Sequence, residues 1–147
     1  MTELAVSLRE LTRHFGPNVA LDGLTLDVQD GELFGIVGPD GAGKTTTLRM
    51  LAGVLSPTAG QGIIHGIDVA EDPEGVKPLI AYMSQQFGLY QDLTVRENID
   101  FYADLYRVPK GERPSRLERL FAFSNLGPFQ DRLAGNLSGG MKQKLSL

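Results

Sequence analysis

The sequence predicts an α/β fold built around a glycine-rich loop, and three features support this prediction. Apolar and polar residues alternate over 4–8 and 24–28, which predicts two strands that each bury one face. Residues 33–37 are continuously apolar and lead into a glycine-rich stretch at 38–45, as a strand buried on both faces of a parallel sheet would. Apolar residues recur at helical spacing over 94–126. The chain therefore combines an antiparallel β region, a buried strand with its helix, and a group of helices.

Turn-forming residues set the boundaries of the elements in the first half. Gly16-Pro17-Asn18 separates the two alternating stretches, so we expect their strands to pair antiparallel. After the glycine-rich stretch, a helix is expected from Lys44 to about Val54, because Ser-Pro-Thr-Ala-Gly follows it. The residues expected on the buried face of this helix are Leu48, Leu51 and Val54. A hairpin over 63–69 and an apolar strand near 79–83 complete this half.

The second half is predicted to be helical. Thr94-Val95-Arg96-Glu97 fits a capping box, in which the threonine and glutamate side chains satisfy each other's backbone N–H groups. An apolar stripe at helical spacing, which stops before Pro109, is formed by Val95, Ile99, Tyr102 and Tyr106. A second helix is expected from Pro114 to Asn125 because Gly127-Pro128 follows it. Its inward-facing residues are expected at Leu117, Leu120 and Phe121.

Composition and charge exclude several classes of protein. The chain has 147 residues, of which 41% are hydrophobic and 22% charged, so it can form a folded core. It has no cysteine, which excludes a disulfide scaffold, a zinc-thiolate site and thiol catalysis. The net charge of −4 argues against nucleic acid as a partner. Neither a leader peptide nor 18 consecutive apolar residues occur, so contact with a membrane is expected only through a partner.

Residues 38–45 read Gly-Pro-Asp-Gly-Ala-Gly-Lys-Thr and match the phosphate-loop pattern G-x-x-x-x-G-K-[ST]. The glycines allow backbone N–H groups to point at phosphate oxygens, and a helix N-terminus adds the positive end of its dipole. Lys44 would place a positive charge on the terminal phosphates, and the Thr45 hydroxyl would ligate Mg²⁺. A nucleoside triphosphate is therefore expected to bind at Gly38, Pro39, Asp40, Gly41, Ala42, Gly43, Lys44, Thr45 and Thr46.

Leu137-Ser138-Gly139-Gly140 predicts a second anion site. Ser138 is a favourable helix N-cap, and the two glycines allow a close approach to the backbone. Two phosphate-binding helix ends in one chain suggest two copies that close over shared nucleotides.

Together the two motifs resemble those of the ATP-binding cassette (ABC) ATPases, whose LSGG signature follows the phosphate loop at about this spacing. The resemblance implies a P-loop NTPase fold with an N-terminal antiparallel β subdomain and a helical subdomain. It also implies that ATP and Mg²⁺ bind. In that family, the signature of one ATPase domain contacts the γ-phosphate held by the phosphate loop of another in a head-to-tail dimer. Leu137 to Gly140 form the signature here, and Ser138, Gly139 and Gly140 would make that contact.

Two further site positions follow from the resemblance. Ile80 to Gln85 is similar to the strand that leads into the Q-loop, whose glutamine reaches Mg²⁺. Gln85 is therefore a candidate catalytic and metal-ligating residue alongside Lys44, and Gln86 is the alternative by one register. Phe15 matches the aromatic residue that stacks on adenine, and a buried core phenylalanine is the alternative interpretation.

The amino-acid sequence around the helical region resembles one branch of the family. Residues 86–106 and the stretch LSGGMKQKL are similar to the ATPase subunits of bacterial ABC-2-type exporters, in the YbhF-like and daunorubicin-resistance-type multidrug branch. This implies a cytoplasmic, ATP-hydrolysing motor that is peripheral on the inner face of the plasma membrane. Its partners would be an ABC transporter membrane subunit and a second ATPase domain. Exposed aromatic residues around Phe87, Tyr90 and Tyr102 would suit a coupling helix of that membrane subunit.

The chain also departs from the family pattern. ABC ATPases continue after the signature helix into the Walker B aspartate, the catalytic glutamate and a switch histidine, whereas this sequence stops at Leu147. The core sheet is therefore expected to be incomplete. Met141 replaces the glutamine of LSGGQ, which affects any ribose contact from that position. Two alternatives stay open, namely a non-hydrolysing nucleotide-binding or interaction module and an ABC ATPase that is not a transporter.

These motifs imply a division of residues 1–147 as part of an ABC ATPase domain. Residues 1–32 and 61–70 would form the antiparallel β region. Residues 33–60 and 79–85 would belong to a RecA-like core, and residues 94–140 to a helical subdomain.

Overall fold

The computed structural model describes residues 4–84 and 88–147. The chain divides into two compact units, which we call unit 1 (Met1–Tyr82) and unit 2 (Met83–Leu147). Unit 1 contains the sheet and the phosphate loop, and unit 2 contains the helices of the second half. Among the described residues, no helix combines the length and the apolar character needed to cross a bilayer.

Among the residues described for unit 1, a four-stranded antiparallel sheet is the framework. Its strands are β1 (Leu4–Phe15), β2 (Asn18–Gln29), β3 (Ala59–Ile64) and β4 (Ile67–Asp68), in the order β2-β1-β3-β4. The predicted antiparallel opening is confirmed, with Leu8 opposite Leu26. The predicted hairpin over 63–69 is confirmed as β3 and β4. His65 (φ 45°) and Gly66 (φ 83°) connect them, as the two positive φ angles of a tight hairpin turn require.

Residues 4–82 of unit 1 contain two helices, α1 (Lys44–Leu51) and the short α2 (Pro73–Val76). Helix α2 runs into a 3₁₀ turn at Lys77–Leu79. Helix α1 packs on the sheet through Met50, which is buried together with Leu8 and Leu11. The face predicted for α1 is wrong at Leu48, which is 48% exposed, and at Val54, which is 66% exposed, whereas Leu51 packs against the core as predicted. The helix is instead rotated to bury Met50 and Thr47.

Thr47 explains why this rotation is stable. Its hydroxyl donates a 3.0 Å hydrogen bond to the Gly43 carbonyl, so a threonine that is 1% exposed leaves no unpaired polar group. Because Thr47 is polar, a prediction of the buried face from apolar residues does not include it.

The two strands predicted for the parallel sheet are absent from the described residues. Residues 33–37 have no regular structure, and Leu33 and Val37 are almost fully exposed. Residues 80–84 are also irregular, with Tyr82 and Met83 exposed. A strand requires a neighbour for its backbone hydrogen bonds. Among the described residues, every named strand pair is antiparallel and none includes these two segments.

In the described part of unit 2 there are three helices and short connecting turns. The helices are α3 (Val95–Leu105), α4 (Arg113–Ser124) and α5 (Gly139–Ser146), with 3₁₀ turns at Gly127–Phe129 and Ala134–Asn136. The buried apolar residues of its core are Val95, Leu126, Ala134, Leu137 and Leu145.

The ends and faces of these helices test the predictions for the second half. The predicted capping box at Thr94 is confirmed, and Asn125 ends α4 in the left-handed conformation. Leu117 is buried as predicted, whereas Tyr106 is 75% exposed because it lies beyond the last residue of α3. The predicted stripe on α3 therefore contacts the core only in its first turns, through Val95 and Ile99.

Candidate functional site

The phosphate loop has a backbone conformation that depends on glycine. Gly41 and Gly43 have φ angles of 81° and 82°, in the left-handed region that favours glycine. Gly43 also lies against β2, because a Cβ atom at this position would come within 2.4 Å of the Ala20 carbonyl oxygen. The loop is therefore held directly on the sheet at the point where α1 begins.

The N-terminus of α1 has backbone donors available for an anion. Gly43 caps the helix without a side-chain hydrogen bond, and the first turn contains no acidic residue. The first intrahelical donor is Thr47 N–H, which donates to the Gly43 carbonyl at 2.8 Å. The preceding N–H groups of residues 44–46 have no such partner, as at every helix start. Since the helix dipole adds positive potential there, this geometry fits a phosphate group.

The Lys44 side chain folds back over the loop. Its Nζ donates to the carbonyl oxygens of Gly38 at 2.7 Å and Pro39 at 2.6 Å. An ammonium group has three donors, so a third remains for an anion at this position. The loop carbonyls therefore hold the positive charge beside the free N–H groups of α1.

Thr45 offers one oxygen ligand for a divalent cation. Its side chain is exposed, and its hydroxyl makes no hydrogen bond within the described part of the chain. Described residues 4–84 and 88–147 contain no cluster of three or more acidic or histidine side chains that could hold a metal by themselves. The residues thus fit Mg²⁺ that is bound by a hydroxyl together with phosphate oxygens.

Phe15 lies at the end of β1, opposite Asn18 on β2. The residue is 46% exposed, so the alternative of a buried core phenylalanine is wrong. One face of the ring is covered by the Arg13 guanidinium, whose carbon lies 4.7 Å from the ring centroid. The role of Phe15 in stacking on adenine stays a prediction.

In the signature segment, one residue is buried and the next three are exposed. Leu137 is 6% exposed and belongs to the core of unit 2. Ser138 caps α5, because its hydroxyl oxygen accepts a 3.3 Å hydrogen bond from Met141 N–H. Gly139 and Gly140 are exposed, and a Cβ atom at either would meet nothing within 4 Å. Leu137 therefore anchors a helix start whose backbone is open to a second anion.

Gln85, the predicted catalytic glutamine, lies outside the described residues, as do Gln86 and Phe87. The segment that follows them is held by Asn98, a buried residue that the sequence analysis missed. Its side-chain oxygen accepts from Tyr90 N–H at 2.9 Å, and its nitrogen donates to the carbonyls of Tyr90, Leu93 and Thr94. An asparagine among the apolar positions of α3 was the available signal.

The same segment is also bound to the turn that precedes the signature. Ala134 N–H donates to the Leu93 carbonyl at 2.8 Å, and Gly135 N–H donates to the Gln91 carbonyl at 2.9 Å. Residues 88–94 are therefore held from two sides, by α3 and by the backbone just before Leu137.

Glu97 and Tyr102 of α3 have pKa values that differ from their usual ones because of neighbouring groups. The pKa of Glu97 lies below its usual value because the backbone N–H and then the hydroxyl of Thr94 donate to its carboxylate. Burial raises the pKa of Tyr102, with smaller contributions from Tyr90 and Tyr106. Neither shift lies in the phosphate loop.

Comparison with known proteins identifies the family. The family model described as ABC transporter matches residues 21–147, which include both the phosphate loop and the signature segment. The chain belongs to the ABC transporter family. A solved structure titled "Structure of ATP binding subunit of ABC transporter" matches 97% of this chain and 59% of its own, with a TM-score of 0.81 and 29% identity. The predicted ABC ATPase fold class is thereby confirmed.

Curated relatives include proteins named for multidrug transport and for import. The probable multidrug ABC transporter ATP-binding protein YbhF of Escherichia coli is 46% identical over all of this chain and 26% of its own length. The spermidine/putrescine import ATP-binding protein PotA of Rubrobacter xylanophilus is 38% identical over 98% of this chain and 38% of its own length. The chain thus spans about a quarter to two-fifths of these two relatives. ATP-binding proteins of this family are ATPases.

Proposed function

We propose that this chain is part of the MgATP-binding motor of an ABC exporter. The observation that supports it most strongly is the pair of open helix starts, one at the phosphate loop with Lys44 and one at the signature glycines. At each of these helix starts, backbone N–H groups have no intrahelical partner and can donate to a phosphate. Export, as opposed to import, rests on the likeness to YbhF, which is named as a multidrug transporter protein.

The reaction proposed is attack of water on the γ-phosphate of ATP. Catalysis of this step depends mainly on positioning and on stabilisation of charge. Lys44 would bind the terminal phosphates, and the α1 backbone would orient them. Mg²⁺, when bound through Thr45 and phosphate oxygens, would neutralise part of the phosphate charge. Gln85 stays the candidate for reaching that ion.

A second copy would complete the site. Ser138, Gly139 and Gly140 of one copy would contact the γ-phosphate on the other in a head-to-tail dimer. The open space around both glycines supports this role, because a phosphate can approach the backbone there without meeting a side chain.

The proposed contact with a membrane subunit involves aromatic residues at the start of unit 2. Tyr90 and Phe101 are 49% and 38% exposed, and their rings meet edge to face at 4.7 Å. Tyr102 packs against Phe101 with a centroid distance of 5.3 Å. An exposed aromatic group of this kind is typical of protein contact surfaces. Such a contact would hold the chain on the inner face of the plasma membrane.

The dimer test uses a charge placed at the signature. Gly139→Glu adds a carboxylate in open space where no left-handed φ is required, so the fold should be preserved. The matched control is Gly111→Glu, because Gly111 also has open space around it and belongs to the same unit. Sedimentation velocity with and without MgATP is the measurement.

We expect MgATP to dimerise the wild-type chain and the Gly111→Glu variant. The Gly139→Glu variant should stay monomeric while its affinity for MgATP changes less than about twofold, since the carboxylate repels phosphate only across the dimer. ATP-dependent dimers of the Gly139→Glu variant would contradict the proposed role of the signature. Absence of MgATP binding by the wild-type chain would contradict the proposed function as a whole.

A further inference from the structure

Arg13 is held in an unusual position beside Phe15. Its Nη1 donates a 2.7 Å hydrogen bond to the Ser56 carbonyl, 43 residues further along the chain. Its Nε is fully buried and has no hydrogen-bond partner. The guanidinium carbon lies 4.7 Å from the centroid of the Phe15 ring. The guanidinium is therefore fixed between a backbone carbonyl on one side and an aromatic ring on the other.

The guanidinium covers one face of the Phe15 ring, and Phe15 is still 46% exposed. Part of the ring is therefore accessible on a side that Arg13 does not cover. A cation over an aromatic face is attracted by the negative potential of the ring, so it holds the ring in one orientation. The buried, unpaired Nε is unfavourable. The contact between Arg13 and Phe15 lies outside the apolar core of unit 1, so core packing does not account for the position of Arg13.

The exposed ring lies close to the phosphate loop along the sheet. Phe15 is opposite Asn18, and Gly43 lies against the carbonyl of Ala20, two residues further along β2. Two residues of a strand span about 7 Å. Phe15 and Gly43 are thus separated along β2 by a distance that a nucleoside can bridge when its phosphates lie on the loop.

We propose that Arg13 is a positioning residue for the nucleotide base. It holds the Phe15 ring from behind, so that the accessible side forms a ready platform on which a purine base stacks. The inference rests on the proposed function, since it requires phosphates on the loop. Stacking uses the π face and not the edge of the base, so the platform should tolerate both adenine and guanine.

The test compares two ligands that differ by the base. Calorimetry measures the affinity of MgATP and of inorganic tripolyphosphate with Mg²⁺ for the wild-type chain, Arg13→Ala, Arg13→Lys and Phe15→Ala. Arg13→Ala should weaken MgATP about two- to fivefold, as expected for an exposed cation–π pair. Phe15→Ala should weaken it about tenfold or more through lost stacking. The affinity for tripolyphosphate should be unchanged in all variants, and Arg13→Lys should recover part of the loss.

A spectroscopic measurement separates positioning from general destabilisation. The chain contains no tryptophan, so Phe15→Trp introduces a single reporter at the proposed platform. MgATP should quench its fluorescence, and adding Arg13→Ala should reduce the quenching at saturating MgATP. Equal weakening of both ligands by Arg13→Ala, or unchanged MgATP affinity and quenching, would overturn the inference alone. A wild-type chain that does not bind tripolyphosphate would overturn the proposed function as well.

Discussion

Replacement of Gly43 by alanine tests how closely the phosphate loop is held on the sheet. The added Cβ would lie 2.4 Å from the Ala20 carbonyl oxygen and 3.2 Å from a methyl of Leu21. Because real Cβ contacts stay beyond 3.0 Å, the loop and β2 would have to separate by about 0.6 Å. A non-glycine residue in the left-handed region costs about 1–2 kcal/mol, and overpacking of this kind adds about 1–3 kcal/mol. Gly43→Ala should therefore destabilise α1 by about 2–5 kcal/mol.

Gly41→Ala is the matched control. Gly41 has nearly the same φ angle, 81°, but its Cβ position has nothing within 4 Å. It should lose only the conformational part, about 1–2 kcal/mol. Hydrogen exchange of the α1 amides measures the free energy of local opening in this unit separately from unit 2. Equal losses for the two variants would refute the reasoning, because the contact with Ala20 would then contribute nothing.

Four further predictions concern single side chains. Lys44→Met should weaken MgATP binding at least tenfold in calorimetry, because a hydrogen bond to a charged group contributes about 1.5–3 kcal/mol. A change below about twofold would contradict the role of Lys44 in binding phosphate. Asn98→Ala should lower the free energy of unfolding of unit 2 by about 2–4 kcal/mol, measured by hydrogen exchange, because it leaves buried backbone groups unpaired. A loss below about 0.5 kcal/mol would show that Asn98 does not stabilise this segment. The pKa of Glu97 is lowered in the folded chain by hydrogen bonds from Thr94, so its stabilisation is present above about pH 4.5 and is lost as pH falls through the folded pKa. Glu97→Gln should flatten that acid-side loss in unfolding curves taken at several pH values, and identical curves would show that the capping carboxylate is not responsible. Val37 is 93% exposed, so Val37→Lys should change the unfolding free energy by less than about 0.5 kcal/mol in the same measurement. A large loss of stability would show that Val37 is buried.

The features that the sequence predicted well are those encoded over a few residues. Thr94 and Ser138 cap their helices through hydrogen bonds to residues three positions further on. The hairpin over 63–69 depends on two adjacent turn residues, and the phosphate loop on closely spaced glycines. In each case the partners are near in sequence, so the pattern alone contains the information.

The features that the sequence did not predict depend on distant partners. Residues 33–37 have the composition of a buried strand, but a strand also needs a neighbour, and composition does not specify one. The rotation of α1 is fixed where Gly43 meets β2 and where Thr47 pairs its hydroxyl, so Leu48 is exposed although the apolar pattern placed it inside. Arg13 was missed for the same reason, because Ser56 lies 43 residues away.

The most direct test of the account follows the backbone amides at the start of α1. In a ¹⁵N-labelled sample of this 16.0 kDa chain, NMR spectra can be recorded with and without MgATP. The account predicts that the largest shifts and the strongest protection from exchange occur at residues 41–46, and that Lys44→Met greatly weakens the response. Spectra in which these amides do not change at saturating MgATP would contradict the central claim that this loop binds the phosphates.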